Sequence, residues 1–179
     1  MGQALPGFDA LAVGFEQPYE MLEACHERVQ RSLDLLARLL DYVEKNGHDA
    51  QTRSAAADVL CYFDLAAPLH HQDEENHVFP PLLTLGDAGL HELVRQLQAD
   101  HRQMETLWAV LRQPLLRWRE NGATGRPDGA TRAAATQFQQ LYAGHIPKEE
   151  GLVFPAARSA MSAATQAAMG AEMRSRRRG

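Results

Sequence analysis

The chain has 179 residues, enough for one domain with a real core and too few for two comfortable ones. It is 45% hydrophobic and 23% charged with a net charge of −5, an ordinary soluble composition whose mild acidity argues against nucleic acid as the main partner. No stretch approaches the ~20 uninterrupted apolar residues of a membrane helix. The opening MGQALPGFDALAVGFEQP, with Asp9 and Glu16 and no basic start, does not read as a signal peptide, so a cytoplasmic protein is expected.

Residues 1–17 form an apolar arm, with Phe8, Leu11, Val13 and Phe15, expected to dock on its own domain. From Glu20 to Lys45 apolar residues recur at three-and-four spacing through Met21, Leu22, Cys25, Val29, Leu33, Leu36, Leu40 and Val43, which predicts a helix. Pro18 suits its first turn and Asn46-Gly47 its end. A second helix is predicted from Asp49 or Ala50 into Val78-Phe79-Pro80-Pro81, with a turn at Gly86-Asp87-Ala88-Gly89. A third runs from about Leu90 to Glu120, with Pro114 a candidate kink, and Asn121 to Gly129 is a loop by composition. A fourth covers Ala130 to Phe154, and a shorter fifth is expected within Pro155 to Met173. Pro68 and Pro147 fall inside helices and should bend them. Arg174, Arg176, Arg177 and Arg178 read as a solvated tail, and Cys25 and Cys61 as reduced, buried thiols. The expected organisation is an arm (1–17), a helical bundle (18–157) and a C-terminal helix with its basic tail (158–179).

An internal repeat decides the functional reading. His70-His71-Gln72-Asp73-Glu74-Glu75-Asn76-His77-Val78-Phe79-Pro80 aligns with His145-Ile146-Pro147-Lys148-Glu149-Glu150-Gly151-Leu152-Val153-Phe154-Pro155, sharing H-x-x-x-E-E-x-x-V-F-P at an offset of 75. Without a gap, the same offset carries His26 onto His101, Leu36 onto Leu111, Asn46-Gly47 onto Asn121-Gly122 and Phe63 onto Phe138.

Helix rise turns these distances into heights. The 20 residues from His26 to Asn46 span about 30 Å at 1.5 Å per residue, and the return from Asp49 to His70 is similar. The second half repeats the journey, so four antiparallel helices bring His26, His70, His101 and His145 to one layer, where bundles build metal sites. Each H-x-x-x-E pair adds a carboxylate on the same face one turn on, Glu74 and Glu149. Six groups in two equal halves suggest two metals, each with two imidazoles, bridged by the carboxylates and an oxide or hydroxide. The absence of thiolates argues against a structural zinc site, and the nitrogen and oxygen donors suit iron or manganese; two irons are expected, with manganese or zinc as substitutes. Glu75 and Glu150 are expected in solvent or the outer shell. His71 is read as outer shell or surface, His77 as pocket wall, and His48 and His91 as loop and surface residues. Val78, Val153, Phe63, Phe138, Phe79 and Phe154 are core residues that would wall the site off from water.

The order His, H-x-x-x-E-E-x-x-V-F-P, His, H-x-x-x-E-E-x-x-V-F-P resembles the hemerythrin-like, HHE cation-binding domains of bacteria over about residues 18 to 155. The resemblance implies an all-α, antiparallel up-down four-helix bundle with a non-haem di-iron centre held by His26, His70, Glu74, His101, His145 and Glu149. Two positions depart from the oxygen-carrier pattern. Glu105 stands where carriers have a second third-helix histidine, and Glu149 where they have aspartate. These departures point away from simple oxygen carriage, toward relatives that respond to nitric oxide, handle iron or sense. The reading is a binding protein for oxygen, nitric oxide or a related small oxidant. The alternatives are a di-iron oxidase or peroxidase, an iron storage or donation protein, and a metal-bearing signalling module.

Overall fold

The computed structural model describes residues 14–177, and among them every regular element is helical. Phe8, Leu11, Val13 and Arg178 lie outside the described residues. Four long rods make up the bundle. The first is α1 (Pro18–Asn46), which Gly47 ends at φ +76°, a left-handed conformation that glycine enters without a Cβ clash. Asp49 then caps the second rod, accepting hydrogen bonds from the Gln51 and Thr52 amides. That rod is α2 (Ala50–Cys61), α3 (Ala67–Asp73) and α4 (Phe79–Leu83), joined by π turns at Tyr62–Ala66 and Glu74–Val78. Asp87 caps α5 (Ala88–Trp118), the third rod. The fourth is α6 (Gly129–Lys148), a π turn at Glu149–Val153, and α7 (Phe154–Ala160). The rods α1, α2, α5 and α6 pack as successive neighbours, and α1 against α6 closes the ring, as an up-down bundle requires. None of the described helices is long and apolar enough to cross a membrane.

Three differences from the sequence expectations have physical causes. The perturbation expected at Pro68 takes the form of a π turn. Each of the three π turns ends two residues before a proline, at Pro68, Pro80 and Pro155. Proline has no N–H to donate, and its ring collides with the carbonyl four residues back in a regular helix. A π turn, bonded to the fifth residue back, relieves that collision. Pro147, by contrast, sits inside α6, which stays helical through it.

The second difference is the fifth helix. The fourth rod runs on to Ala160, and α8 (Ala163–Arg176) starts only at Ser162, whose side chain accepts from the Thr165 amide. The third is the basic tail, whose described arginines pair with acidic side chains. Arg176 and Arg177 both pair with Asp73, a carboxylate with 0% exposure; Arg177 Nη2 lies 2.6 Å from Asp73 Oδ2. Arg174 pairs with Glu16, and both Arg174 and Arg177 lie over the Phe15 ring. A Cβ at Gly170 would stand 1.9 Å from the Phe15 carbonyl oxygen, so α8 can pass that close only because residue 170 has no side chain. Cys61 also departs from expectation: it is exposed on α2, and Cys25 is half-buried.

The apolar interior falls into two clusters. One contains Leu33, Leu36, Leu40, Phe63, Leu111, Leu115 and Phe138. The other contains Tyr19, Leu22, Val78, Phe79, Val94, Phe154, Met169 and Met173. A band of buried polar side chains, drawn from all four rods, lies between them.

Candidate metal centre

His26 on α1, His70 on α3, His101 on α5 and His145 on α6 are all buried, and Glu74 and Glu149 are 0% exposed. One ligand atom from each of His26, His70, Glu74 and Glu149 lies within 4.8 Å of the others. The same holds for Glu74, His101, His145 and Glu149, so two donor quartets share the two glutamates. The six residues singled out by the repeat are thus brought together, two imidazoles to each half.

All four Nε2 atoms face inward. His145 Nε2 is 2.9 Å and His26 Nε2 3.2 Å from Glu149, while His70 Nε2 is 3.2 Å and His101 Nε2 3.4 Å from Glu74. These approaches lack the directions of hydrogen bonds, and both oxygens of Glu74 and of Glu149 are buried without a hydrogen-bond partner. His101 Nε2 and His145 Nε2 stand only 3.2 Å apart. Four orphaned carboxylate oxygens and converging ring nitrogens would be prohibitively costly in an empty apolar interior. They are the donor set that one or two dications would satisfy, and they fit the metal centre that the repeat implies.

The electrostatics point the same way. Burial alone would lower the pKa of His26, but Glu149 and Glu74 outweigh it and raise it to about 10. At His101 burial is likewise overcome, by Glu74 and Glu75, and the pKa rises to about 10. Burial opposes ionisation of Glu74, yet the surrounding imidazoles, His70 foremost, hold it well below the ordinary carboxylate range. The buried carboxylates make the pocket attractive to positive charge.

The outward Nδ1 atoms are tethered by carboxylates from neighbouring rods. Glu150 Oε1 is 2.8 Å from His26 Nδ1, and Glu75 Oε1 is 3.0 Å from His101 Nδ1. Asp100 Oδ2 is 3.3 Å from His145 Nδ1. Such outer carboxylates fix the proton on Nδ1 and leave the Nε2 lone pair free for a metal. Sequence reading placed Glu75 and Glu150 correctly near the shell and missed Asp100. Its signal was faint, a lone aspartate beside a donor histidine, with its own target on another helix.

Aromatic walls close the layer. Phe154 stacks on His26 at 5.5 Å and 10°, and Phe79 on His101 at 5.7 Å and 23°, as the repeat demands. His71 is not a surface residue. Its ring stacks on His101 at 4.0 Å, its Nε2 lies 3.4 Å from the Tyr142 hydroxyl, and burial holds its pKa well below 6.5. His71, Tyr142, Met104, Phe63 and Trp108 line a cleft of about 50 Å³, with the exposed Glu105 at its edge. Glu105 is therefore outside both donor quartets. His77 faces away from the layer and meets Glu172 on α8 at 2.5 Å. His48, on the turn after α1, contacts the Gly125 carbonyl at 2.6 Å, far along the chain from the ligand motifs. His91 lies half-buried in the first turn of α5.

Comparison with known proteins agrees with this geometry. The family described as Hemerythrin HHE cation binding domain matches residues 17–157. A protein of Haemophilus influenzae, itself described as uncharacterised, is 33% identical over 163 residues, which cover 91% of each chain.

Proposed function

Because the chain belongs to the hemerythrin HHE cation-binding family, we propose that it is a non-haem di-iron protein that reversibly binds oxygen, nitric oxide or a related small oxidant. His26 and His70 would hold one iron and His101 and His145 the other, with Glu74 and Glu149 available to both. The observation that carries this reading is the pair of donor quartets sharing two buried glutamates that have no other partners. Iron there supplies a centre able to exchange electrons with a diatomic ligand.

The chain's own groups supply the rest. Glu75, Glu150 and Asp100 keep protons on three Nδ1 atoms, which turns the rings toward the metal positions. Phe79, Phe154, Val78 and Val153 exclude bulk water, which protects a reactive ligand from protonation. The cleft beside His71 and Tyr142 has room for a diatomic molecule. Residues 18–157 would form the metal-binding unit, with α8 closing one end of it. A cytoplasmic setting suits the two free thiols.

The test is metal content after anaerobic reconstitution with ferrous iron, followed by exposure to oxygen or nitric oxide. Two irons per chain are expected, with at least one lost in His101→Ala, and an absorption change that reverses when the gas is removed. Irreversible bleaching with release of iron would refute reversible binding, and one iron or none would refute the dinuclear centre.

A further inference from the structure

The outer carboxylates follow the repeat until one position, where they break it. His26 and His101 are repeat mates, and so are Glu150 and Glu75; each glutamate serves the histidine of the opposite half, at 2.8 and 3.0 Å. His145 and His70 are also repeat mates, but only His145 has its carboxylate. Asp100 supplies it, and the offset of 75 that takes His145 to His70 takes Asp100 to Cys25. The Cys25 thiol turns to the Met21 sulfur at 3.6 Å, and His70 Nδ1 is buried with no hydrogen-bond partner among the described residues.

We propose that the two metal positions are unequal, with the His101/His145 position binding tightly and the His26/His70 position binding weakly and exchanging its metal. The proposal rests on the ligand assignment above. A hydrogen bond from Nδ1 to a carboxylate locks the ring's orientation and makes Nε2 more basic, and loss of such a bond typically lowers metal affinity 10–100-fold. The His101/His145 half has two such bonds and the His26/His70 half one. Cysteine cannot substitute, because a thiol is a weak acceptor carrying no charge. His70 must also keep its Nδ1 proton buried and unpaired whenever its Nε2 faces a metal, which penalises the bound form further. The difference lies in two residues outside both donor quartets, so it would persist with any divalent ion that fits the shared ligands.

Cobalt(II) titration of the metal-free full chain, monitored by calorimetry and by the ligand-field spectrum, tests this without any activity assay. Mutual repulsion of two dications would by itself separate two binding steps, so single-position variants decide. His70→Ala leaves the position with two outer carboxylates and His145→Ala the position with one. The remaining cobalt is expected to bind His70→Ala 10–100-fold more tightly. Adding Cys25→Asp to His145→Ala should recover most of that gap. Asp100→Cys in the His70→Ala background should abolish the advantage. Equal constants for the two single-position variants, or no response to Cys25→Asp, would overturn the asymmetry while leaving the centre itself standing. Uptake of fewer than two cobalt ions by the unmutated chain would instead remove the ligand assignment on which the inference rests. Circular dichroism on each variant separates lost binding from lost fold, and the Cys25→Asp gain cannot arise from unfolding.

Discussion

The two apolar clusters that flank the histidine layer are closed in different ways. The cluster on the Asn46-Gly47 side is built by the four rods alone, from leucines and the rings of Phe63, Phe138 and Trp118. The cluster on the other side is finished by α8, which adds Met169 and Met173 to Tyr19, Leu22, Phe79 and Phe154 and fastens itself through Asp73. The first is a product of periodicity, and every residue in it follows a helical stripe. The second depends on a segment beyond the repeated motif and on a buried carboxylate shared by two guanidinium groups. One end of the bundle is therefore set by packing and the other by a removable closure.

Substitutions at the two ends should separate these mechanisms. Phe138→Ala should have the largest effect, about 3–5 kcal/mol of unfolding free energy lost in urea titration, because a buried ring leaves a cavity that the rods cannot fill. Its iron content per folded chain should stay the same; a proportionate loss of metal would mean that the far cluster and the layer act as one unit. Asp73→Ala comes next. Breaking a buried ion pair typically costs 3–5 kcal/mol, but Arg176 and Arg177 keep 20% and 22% exposure, so about 2–3 kcal/mol is expected. Hydrogen exchange should then accelerate in α8 and the start of α1, and not in α1 beyond Leu33. Uniform acceleration would deny that the two ends are distinct. Ser162→Ala should have the smallest effect, about 1 kcal/mol, through loss of the α8 cap. That loss should be confined to exchange within α8, and a matching fall in global stability would show that the closure is part of the folding core.

The same contrast marks how far the sequence could be read. Rods, turns and the cluster of buried donors were legible because each repeats a local pattern: Gly47 and Gly122 both have positive φ, and the six buried His and Glu side chains recur at an offset of 75. The closure by α8 was not legible. Asp73 looks like one more acid in a charged run, and Arg176 like part of a polar tail, until a chain reversal 103 residues later sets them together. Asp100 was missed for the same reason, since its partner lies on a different rod. For His71 the sequence left outer shell and surface both open, because its angular offset from His70 was measured on one helix, whereas its surroundings are set by α5 and α6. Periodicity reports which face a residue occupies and carries no information on what the neighbouring chain brings to that face.

The π turns carry a consequence for how the rods tolerate changes in length. In a regular α-helix, five residues advance about 500°, which would leave Phe79 about 140° away from Glu74. A π turn closes on the fifth residue, as the bond from the Phe79 amide to the Glu74 carbonyl shows, and returns Phe79 to the side of the rod that carries the carboxylate. Phe154 and Glu149 are phased alike. The exposed Gly151, which contributes no side chain to any wall, is therefore a counted residue. Exchanging it changes little, whereas removing it would reset the phase of α7 and carry Phe154 off His26. In these rods the number of residues between the buried donors and the wall therefore matters more than the identity of Gly151.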